Sequence, residues 1–299
     1  MHESRADILL DPSSAVFPDT RLHAPAPSIP GPQASVRLER VRKGPFIQAW
    51  VPQRYEWNRL HVTIPDLPPA LEGLRIVHLT DTHFRSYWSK LYDELLEEIA
   101  KADPDLVLFT GDFVDNKHDH RPAIAVAQRF FGQLRSHLGT FAILGNHDGD
   151  LLAPRAGNWN LTLLGQRRLC LESHGGSVEL IGLPGVHRED LDVEFLRSIP
   201  SRRAGGVRIC LSHFPDLVRR TDFLAPDLFL AGHTHGGQIC LPGRLPIIRH
   251  DTLPRHQCTG VHQIGQTWLV VNRGLGFSGL PFRAFCPAEV IEIRLARQE

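Results

Sequence analysis

Five short apolar runs in this chain each end in side chains that can bind a metal ion. These side chains are, in chain order, Asp81, His83, Asp112, Asn146, His213, His233 and His235. A β-strand delivers its last residues to one edge of a sheet, and in an open α/β sheet ligands bind at that edge. Because each run has the length of a strand, we expect the seven side chains to meet at one place. The pattern predicts a metal site that holds more than one ion.

The segments around these runs predict the layers of the fold. Apolar residues at helical spacing predict one helix over 88–102 and a second over 122–136. The later predicted elements are strands near 161–164, 169–172 and 178–182, a helix over 190–199, and strands over 267–272 and 288–295. Helices therefore alternate with strands early in the chain, and the later part is mostly β. This order predicts a four-layer α/β/β/α sandwich, in which two mixed sheets are flanked by helices.

The N-terminal part of the chain has a different composition. Residues 1–35 are rich in Pro, Ser and Ala without strand or helix periodicity, which predicts a disordered arm. Residues 36–59 mix Arg and Lys with aromatic residues such as Trp50 and Tyr55, and we interpret them as a lead-in segment. This segment is either a strand and loop packed on the domain or a basic-aromatic anchor to a membrane surface. We place the catalytic domain at 60–299.

Charge and cysteine content indicate which partners and which cellular compartment to expect. The chain has 33 basic and 33 acidic residues and no basic stripe, so we expect no nucleic-acid partner. Its five Cys residues form no C-x-x-C pair and are interpreted as reduced thiols. The N-terminal residues lack the apolar core of a signal peptide, and no apolar run is long enough to span a bilayer. We therefore expect a cytoplasmic protein, with peripheral membrane contact as the open alternative.

The seven candidate ligands offer only oxygen and imidazole, which suits Mn²⁺, Fe, Zn²⁺ or Ni²⁺ and argues against a cysteine-type structural zinc. Two such ions can clamp a phosphoryl group and activate a water. Asp112 could bridge the ions through its two oxygens. His147 follows a ligand and should point away from it, so it is the candidate to protonate a leaving oxygen. Asp148 could orient His147, and Asp115 could orient a ligand histidine.

The ordered motifs point to a known family. They are Asp81-x-His83, Gly111-Asp112, Gly145-Asn146-His147-Asp148, Ser212-His213 and Gly232-His233-x-His235. In this order, over about residues 60–295, they resemble the signature of the calcineurin-like metallophosphoesterases, whose fold the chain would share. The resemblance implies that His147 is the catalytic histidine. It also implies two ligand sets: Asp81, His83, Asp112 and His235 for one ion, and Asp112, Asn146, His213 and His233 for the other.

The same resemblance suggests a substrate class. Residues 71–81, 232–242 and 272–276 look like those of bacterial phosphodiesterases that hydrolyse small or lipid-linked phosphate esters. We therefore predict hydrolysis of a phosphodiester or pyrophosphate bond by metal-activated water, with two divalent ions, Mn²⁺ first among them. The alternatives are a UDP-2,3-diacylglucosamine pyrophosphatase of lipid A synthesis and a metal-dependent binding or scaffold protein without turnover.

Three arginines are candidates to bind the substrate phosphate, namely Arg273, Arg85 and Arg188. Each of them could instead form a structural salt bridge. The apolar residues Phe277, Leu280, Phe282 and Phe285 could line an acyl groove or pack as core and lid.

Overall fold

The computed structural model describes residues 35–50, 52–173, 175–201, 205–249 and 251–298, all within the compact unit formed by residues 32–299. The predicted arm over 1–35 lies outside the described residues, apart from Ser35. No helix within the described residues is long and apolar enough to cross a membrane.

Two large sheets form the centre of the fold. The strands are, in chain order, β1 (Ser35–Arg42), β2 (Ile47–Ala49), β3 (Tyr55–Ile64), β4 (Arg75–Leu79), β5 (Leu106–Thr110), β6 (Gly139–Ile143), β7 (Thr162–Leu163), β8 (Arg168–Ser173), β9 (Gly176–Gly182), β10 (Gly206–Leu211), β11 (Leu228–Ala231), β12 (Cys240–Leu241), β13 (Leu245–Pro246), β14 (Gly260–Ile264), β15 (Thr267–Val271), β16 (Phe282–Ala284) and β17 (Ala288–Arg297). Within the described residues one sheet has the order β1-β3-β17-β4-β5-β6-β7, and the other has the order β14-β15-β11-β10-β9-β8. Both contain parallel and antiparallel pairs, as predicted.

The helices begin and end where local chemistry requires. Helix α1 (Lys90–Ala102) begins after Ser89, whose hydroxyl accepts a hydrogen bond from the Leu91 amide at 3.2 Å. Helix α2 (Arg121–Gln133) has Pro in its first turn and ends three residues before the predicted end. The sequence did not predict α3 (Gly149–Ala156), which is short and contains Pro154. Helix α4 (Val193–Ser198) is capped by Asp192, whose carboxylate accepts from two backbone amides.

Alternating side chains of the strands divide the core into layers. On β5, Val107 and Phe109 pack with the apolar faces of α1, α2 and α3, whereas Leu106 and Leu108 face the second sheet. The outer face of the second sheet packs against α4 and short 3₁₀ turns, through a cluster that includes Phe229. The predicted four-layer α/β/β/α sandwich is therefore confirmed, with a thinner second helical layer.

Residues 35–42 and 55–59 lie in strands of the first sheet, whereas β2 pairs with β16 in a separate two-stranded sheet. Strand β1 pairs with β3 in antiparallel register, and β3 pairs with β17 along its whole length. The buried Trp57 donates its indole N–H to Glu292 at 3.0 Å. The predicted start of the catalytic domain near Leu60 falls inside β3. The first half of this strand buries the polar residues Glu56 and Asn58, so its sequence lacks the alternation of a strand with one exposed face.

Candidate metal centre

The metal-ligand candidates converge because the strands that carry them run in parallel. β4, β5 and β6 are parallel neighbours in the first sheet, and β10 and β11 are parallel neighbours in the second. Their carboxyl ends therefore lie at one edge of each sheet, and the two edges meet. The seven candidate side chains predicted from the strand ends are brought together at this junction.

One group of ligand atoms forms around His83. Its Nε2 atom lies 3.0 Å from His235 Nε2, 3.5 Å from Asp112 Oδ2 and 3.9 Å from Asp81 Oδ1. His235 Nε2 is in turn 3.3 Å from Asp81 Oδ1. Four potential ligand atoms from three strand ends, those of β4, β5 and β11, thus face a common point.

A second group forms around His213. Its Nε2 atom lies 2.9 Å from Asn146 Oδ1, 3.2 Å from His233 Nδ1 and 3.4 Å from Asp112 Oδ2. The same carboxylate oxygen, Asp112 Oδ2, therefore takes part in both groups. Its other oxygen accepts a hydrogen bond from the His147 amide at 2.8 Å, which fixes the carboxylate between the two groups.

The backbone at the ligand positions is strained. Asp81, His83, Asp112, His233 and His235 all have left-handed backbone conformations, with φ values between 44° and 68°. Such a conformation costs about 1–3 kcal/mol for a non-glycine residue and persists only where the surroundings enforce it. Five strained residues at a single site are the geometric mark of a functional centre in this fold, because they turn the side chains inward after each strand.

Two glycines leave room for the carboxylates. A Cβ atom on Gly232 would collide with Thr80 Oγ1 and Asp81 Oδ2, and one on Gly145 would collide with the amide and Oδ1 of Asp112. Both motif glycines therefore serve close approach of the backbone to a ligand side chain.

Burial and charge set the protonation of the group. Burial opposes ionisation of Asp81 and Asp112, but the imidazoles around them outweigh it and hold the pKa of both carboxyls well below the usual range. Burial lowers the pKa of His83 and His233 to about 3, so both rings are neutral and can offer a lone pair. The charge of Asp112, acting against burial, raises the pKa of His213 to about 9, so a cation binding there must displace a proton.

The residues fit divalent cations. Asp81 Oδ1 is buried, and no donor among the described residues meets it with hydrogen-bond geometry. The converging atoms are carboxylate and amide oxygens and imidazole nitrogens, without a thiol, which suits the metals predicted above. A buried carboxylate oxygen without a donor is costly unless a cation compensates its charge.

His147 lies beside this group, as predicted, but Asp148 does not orient it. The His147 ring packs edge-on against His83 with centroids 4.7 Å apart, and its Nδ1 lies 2.7 Å from the carbonyl oxygen of Asp115. Asp148 instead accepts hydrogen bonds from the amides of Phe113, Val114 and Gly145. Its side chain joins two ligand loops, and the orienting group is a backbone carbonyl that sequence could not reveal. Asp115 Oδ1 is 3.7 Å from His83 Nδ1, beyond hydrogen-bond distance.

Of the three candidate substrate arginines, Arg273 is not available to a substrate. It is only 1 % exposed, and it lies 2.9 Å from Glu56 and 3.0 Å from Glu289. We call these residues, together with Asn58, the arginine–glutamate cluster. Asn58 donates to both carboxylates. The position of Arg273 after a strand suggested exposure at the site, but its side chain turns back into the core.

Arg85 and Arg188 remain at the rim. Arg85 is one-third exposed and pairs with Asp115 at 2.9 Å. Arg188 pairs with Asp216 at 2.5 Å and lies over the ring of Phe214, which packs against His233. Each guanidinium therefore keeps partial access to solvent beside one ligand group.

Sequence reasoning missed Arg283 and Asn272. The buried Arg283 guanidinium lies 3.1 Å from His235 Nδ1 and donates to the carbonyl oxygens of Arg273 and Gly276, each at 2.7 Å. Asn272 donates to the His78 carbonyl at 3.0 Å and accepts from the Gly274 amide at 2.9 Å. Asn272 could have been found, since it follows β15, another parallel strand of the second sheet. Arg283 carried no such signal.

Comparison with known proteins identifies the family. The sequence profile described as Calcineurin-like phosphoesterase matches residues 74–237, which contain all seven candidate ligands and His147. The chain belongs to the calcineurin-like phosphoesterase family. It is 34 % identical over 235 residues to the uncharacterized metallophosphoesterase YkuE of Bacillus subtilis, across 75 % of this chain and 79 % of that protein. It is 30 % identical over 241 residues to the uncharacterized metallophosphoesterase Cj0846 of Campylobacter jejuni. That match covers 77 % of this chain but only 61 % of the longer relative.

Solved structures with a similar arrangement include a dimetal phosphatase from Danio rerio. The match has 11 % identity and a TM-score of 0.40, and it covers 75 % of this chain and 99 % of the other.

Proposed function

We propose that this protein is a two-metal phosphoesterase that hydrolyses a phosphodiester or pyrophosphate bond. The observation that carries the proposal is Asp112 Oδ2, which lies 3.5 Å from His83 Nε2 in one ligand group and 3.4 Å from His213 Nε2 in the other. One ion would be held by Asp81, His83, Asp112 and His235. The other would be held by Asp112, Asn146, His213 and His233. Divalent ions there, Mn²⁺ in our proposal, stabilise negative charge on phosphoryl oxygens and lower the pKa of a water.

His147 would handle the proton of the leaving group. A carbonyl oxygen can only accept, so the 2.7 Å contact with Asp115 O places a proton on His147 Nδ1. Nε2 is then the atom that holds or releases a proton in the reaction. The ring packs edge-on against His83, and His147, His83 and Asp112 are close enough to form a further possible metal-binding group. In our proposal His147 acts on the proton and is not a ligand. Positioned acid catalysis of this kind contributes about 10²- to 10⁴-fold.

Arg85 and Arg188 would orient the anionic substrate. Each lies beside a different ligand group and is partly exposed, so each could contact an anionic substrate at the rim. Two such arginines suit a substrate with charged or polar groups on both sides of the scissile bond. This supports a diester or pyrophosphate over a simple monoester.

The sequence resemblance of residues 71–81, 232–242 and 272–276 to phosphodiesterases of small or lipid-linked esters supports the same choice. One specific observation favours the lipid-linked alternative, a UDP-2,3-diacylglucosamine pyrophosphatase. Leu280, on the loop that follows Asn272, is 60 % exposed. The scaffold alternative requires the same site without turnover.

An activity panel tests these alternatives. Mn²⁺-loaded protein is assayed with p-nitrophenyl phosphate, bis-p-nitrophenyl phosphate, a nucleoside diphosphate sugar and UDP-2,3-diacylglucosamine. We expect turnover of the diester or a pyrophosphate, and a loss greater than about 10³-fold in Asp112→Ala. Unchanged turnover in Asp112→Ala would contradict the mechanism. Release of UMP from the acylated sugar alone would favour the lipid alternative, and inert metal-loaded protein would favour the scaffold. Glu97→Ala, which removes an exposed carboxylate on α1, is the matched control and should retain full activity.

A further inference from the structure

A small ribbon beside the metal centre has two chemically opposite faces. β2 and β16 pair in antiparallel register, with Gln48 opposite Arg283, Ile47 opposite Ala284 and Ala49 opposite Phe282. The inner pair, Gln48 and Arg283, is buried, and Arg283 reaches His235. Since side chains alternate along a strand, the other two pairs share the outer face, which is entirely apolar.

Exposed apolar side chains gather around this ribbon. We call the set the apolar rim: Phe46, Ile47, Trp50, Leu241, Leu245, Ile247, Ile248 and Leu280. Among the described residues, eight of the twelve exposed large hydrophobic side chains belong to it, and Trp50 is 76 % exposed and Phe46 72 % exposed. Such a concentration marks an interaction surface, whereas single exposed apolar residues are ordinary.

The segments of the apolar rim form one continuous structure. Their hydrogen bonds are Trp50 N to Pro281 O (2.7 Å), Phe285 N to Phe46 O (2.6 Å), Ala284 N to Gln238 O (3.1 Å) and Ile247 N to Ile239 O (3.1 Å). Strands β12 and β13, which carry Leu241 and Leu245, form a second small hairpin in the same region. The backbone therefore holds these side chains as a fixed patch.

A cationic pocket lies within this patch. Its volume is about 370 Å³, and its walls include Arg40, Lys43, Arg244, Phe46, Phe285 and Glu56. Glu56 lies 3.3 Å from Arg40 and 2.7 Å from Arg244, and it also neutralises part of the charge of Arg273. One buried carboxylate faces three lining cations, so the pocket carries a net positive charge. The lining includes two phenylalanine rings, which suits an anion attached to an apolar body.

We infer that the apolar rim and its cationic pocket dock the protein on an anionic phospholipid bilayer. Exposed Trp and Phe side chains partition into the headgroup region, and Lys and Arg beside them attract anionic lipids. Phe46, Trp50 and Leu280 enter the interface, and a lipid phosphate contacts Lys43, Arg40 and Arg244. Among the described residues that line the pocket, Glu56 is the one carboxylate beside three cations. This excess of cations favours an anionic lipid surface over a second copy of this chain, whose own patch would bring like charges together.

Docking would hold the metal centre close to the bilayer. The ribbon that carries the apolar face on one side places Arg283 against His235 on the other. The apolar face of the ribbon and the candidate ligand His235 are therefore separated by one layer of side chains. This inference does not depend on which phosphate ester the enzyme hydrolyses.

Vesicle sedimentation of the full chain tests the inference. Vesicles of phosphatidylcholine alone are compared with vesicles that also contain phosphatidylglycerol, at low and high salt. We expect binding to the anionic vesicles that weakens with salt, and a fall of about tenfold or more in partitioning for Phe46→Ser/Trp50→Ser. Lys43→Glu should reduce binding to anionic vesicles specifically.

The controls are Tyr87→Ser and Phe223→Ser, which remove exposed aromatic rings outside the apolar rim. Both should bind vesicles like the parent protein, and circular dichroism of every variant should show an intact fold. Absence of binding to phosphatidylglycerol vesicles would overturn the inference, as would an equal loss of binding in the control variants. Sedimentation velocity without lipid gives a further outcome: a dimer that Phe46→Ser/Trp50→Ser dissociates would assign the patch to self-association instead.

Discussion

Two buried polar clusters, the arginine–glutamate cluster and the metal centre, lie next to each other in this molecule. Their buried charges are compensated in different ways. In the arginine–glutamate cluster, Glu56 and Glu289 face donors from Arg273 and Asn58, so every charge meets an opposite charge. In the metal centre, atoms that can bind a metal ion face one another: His83 Nε2 lies 3.0 Å from His235 Nε2, and Asp81 Oδ1 has no hydrogen-bonding donor in the described part of the chain. The charges of the first cluster are paired, although the buried Asn58 Oδ1 meets no donor among the described residues, whereas the second cluster fits cations. Similar burial thus serves stability in one place and chemistry in the other.

Metal removal should produce the largest difference in behaviour between the two clusters. Treatment with a chelator is expected to lower activity by more than about 10³-fold, because the proposed mechanism needs cations at the converging ligand atoms. The arginine–glutamate cluster needs no ion, so far-UV circular dichroism should still show a folded chain. Metal content by mass spectrometry should be close to two per chain before treatment, and activity should return when Mn²⁺ is added. Full activity in metal-free protein would contradict the comparison.

His147→Asn should separate catalysis from metal binding. Because we propose that His147 acts on the proton of the leaving group and not as a metal ligand, the variant should keep its metal content while kcat falls by about 10²- to 10³-fold. A substrate with a better leaving group should lose less, since protonation of its leaving oxygen matters less. Loss of bound metal in this variant would instead make His147 a ligand. His118→Asn, on an exposed loop close in the chain, provides the matched control and should leave kcat unchanged.

The sequence predicted the positions of the metal-ligand candidates better than their surroundings. A strand end fixes which sheet edge a residue reaches, so the convergence of Asp81, Asp112 and His213 followed from the order of elements. The direction of a side chain beyond the strand depends on tertiary contacts. For that reason Arg273, a candidate for the substrate phosphate or for a structural salt bridge, turns toward Glu56, and Asp148, a candidate to orient His147, binds backbone amides.

Glu56→Gln should lower the stability of the fold and leave the activity of the folded protein nearly unchanged. Breaking a buried ion pair leaves its partners uncompensated, and we expect a loss of about 3 kcal/mol in the free energy of unfolding. Burial opposes ionisation of Glu56, but the Arg244 hydrogen bond and the Arg273 charge outweigh it and lower its pKa from 4.5 to about 2. The stability from this group is therefore fully present above about pH 4.5 and is lost as pH falls toward 2.

Urea unfolding at several pH values measures this effect. The difference in stability between the parent protein and Glu56→Gln should be largest near neutral pH and should shrink as the solution is acidified below pH 4.5. Activity per folded molecule, assayed with saturating Mn²⁺, should stay close to that of the parent. A difference that grows on acidification would contradict the sign of the pKa shift. A large loss of kcat at full folding would show that the two clusters are coupled.

Gly232→Ala should give the smallest effect, and it tests how closely the backbone of the metal centre is packed. The new methyl group would collide with Thr80 Oγ1 and Asp81 Oδ2, so it must displace a candidate ligand. Overpacking of this kind costs about 1–3 kcal/mol, and here part of that cost should appear as weaker Mn²⁺ binding in a titration. Gly132→Ala is the matched control, because a Cβ atom at this exposed position near the end of α2 would meet no atom within 4 Å. It should stabilise the protein by about 0.5–1 kcal/mol and leave metal affinity unchanged. Equal metal affinity in the two variants would mean that Asp81 can move without loss, and that the strain at the strand ends is not needed to hold the ions.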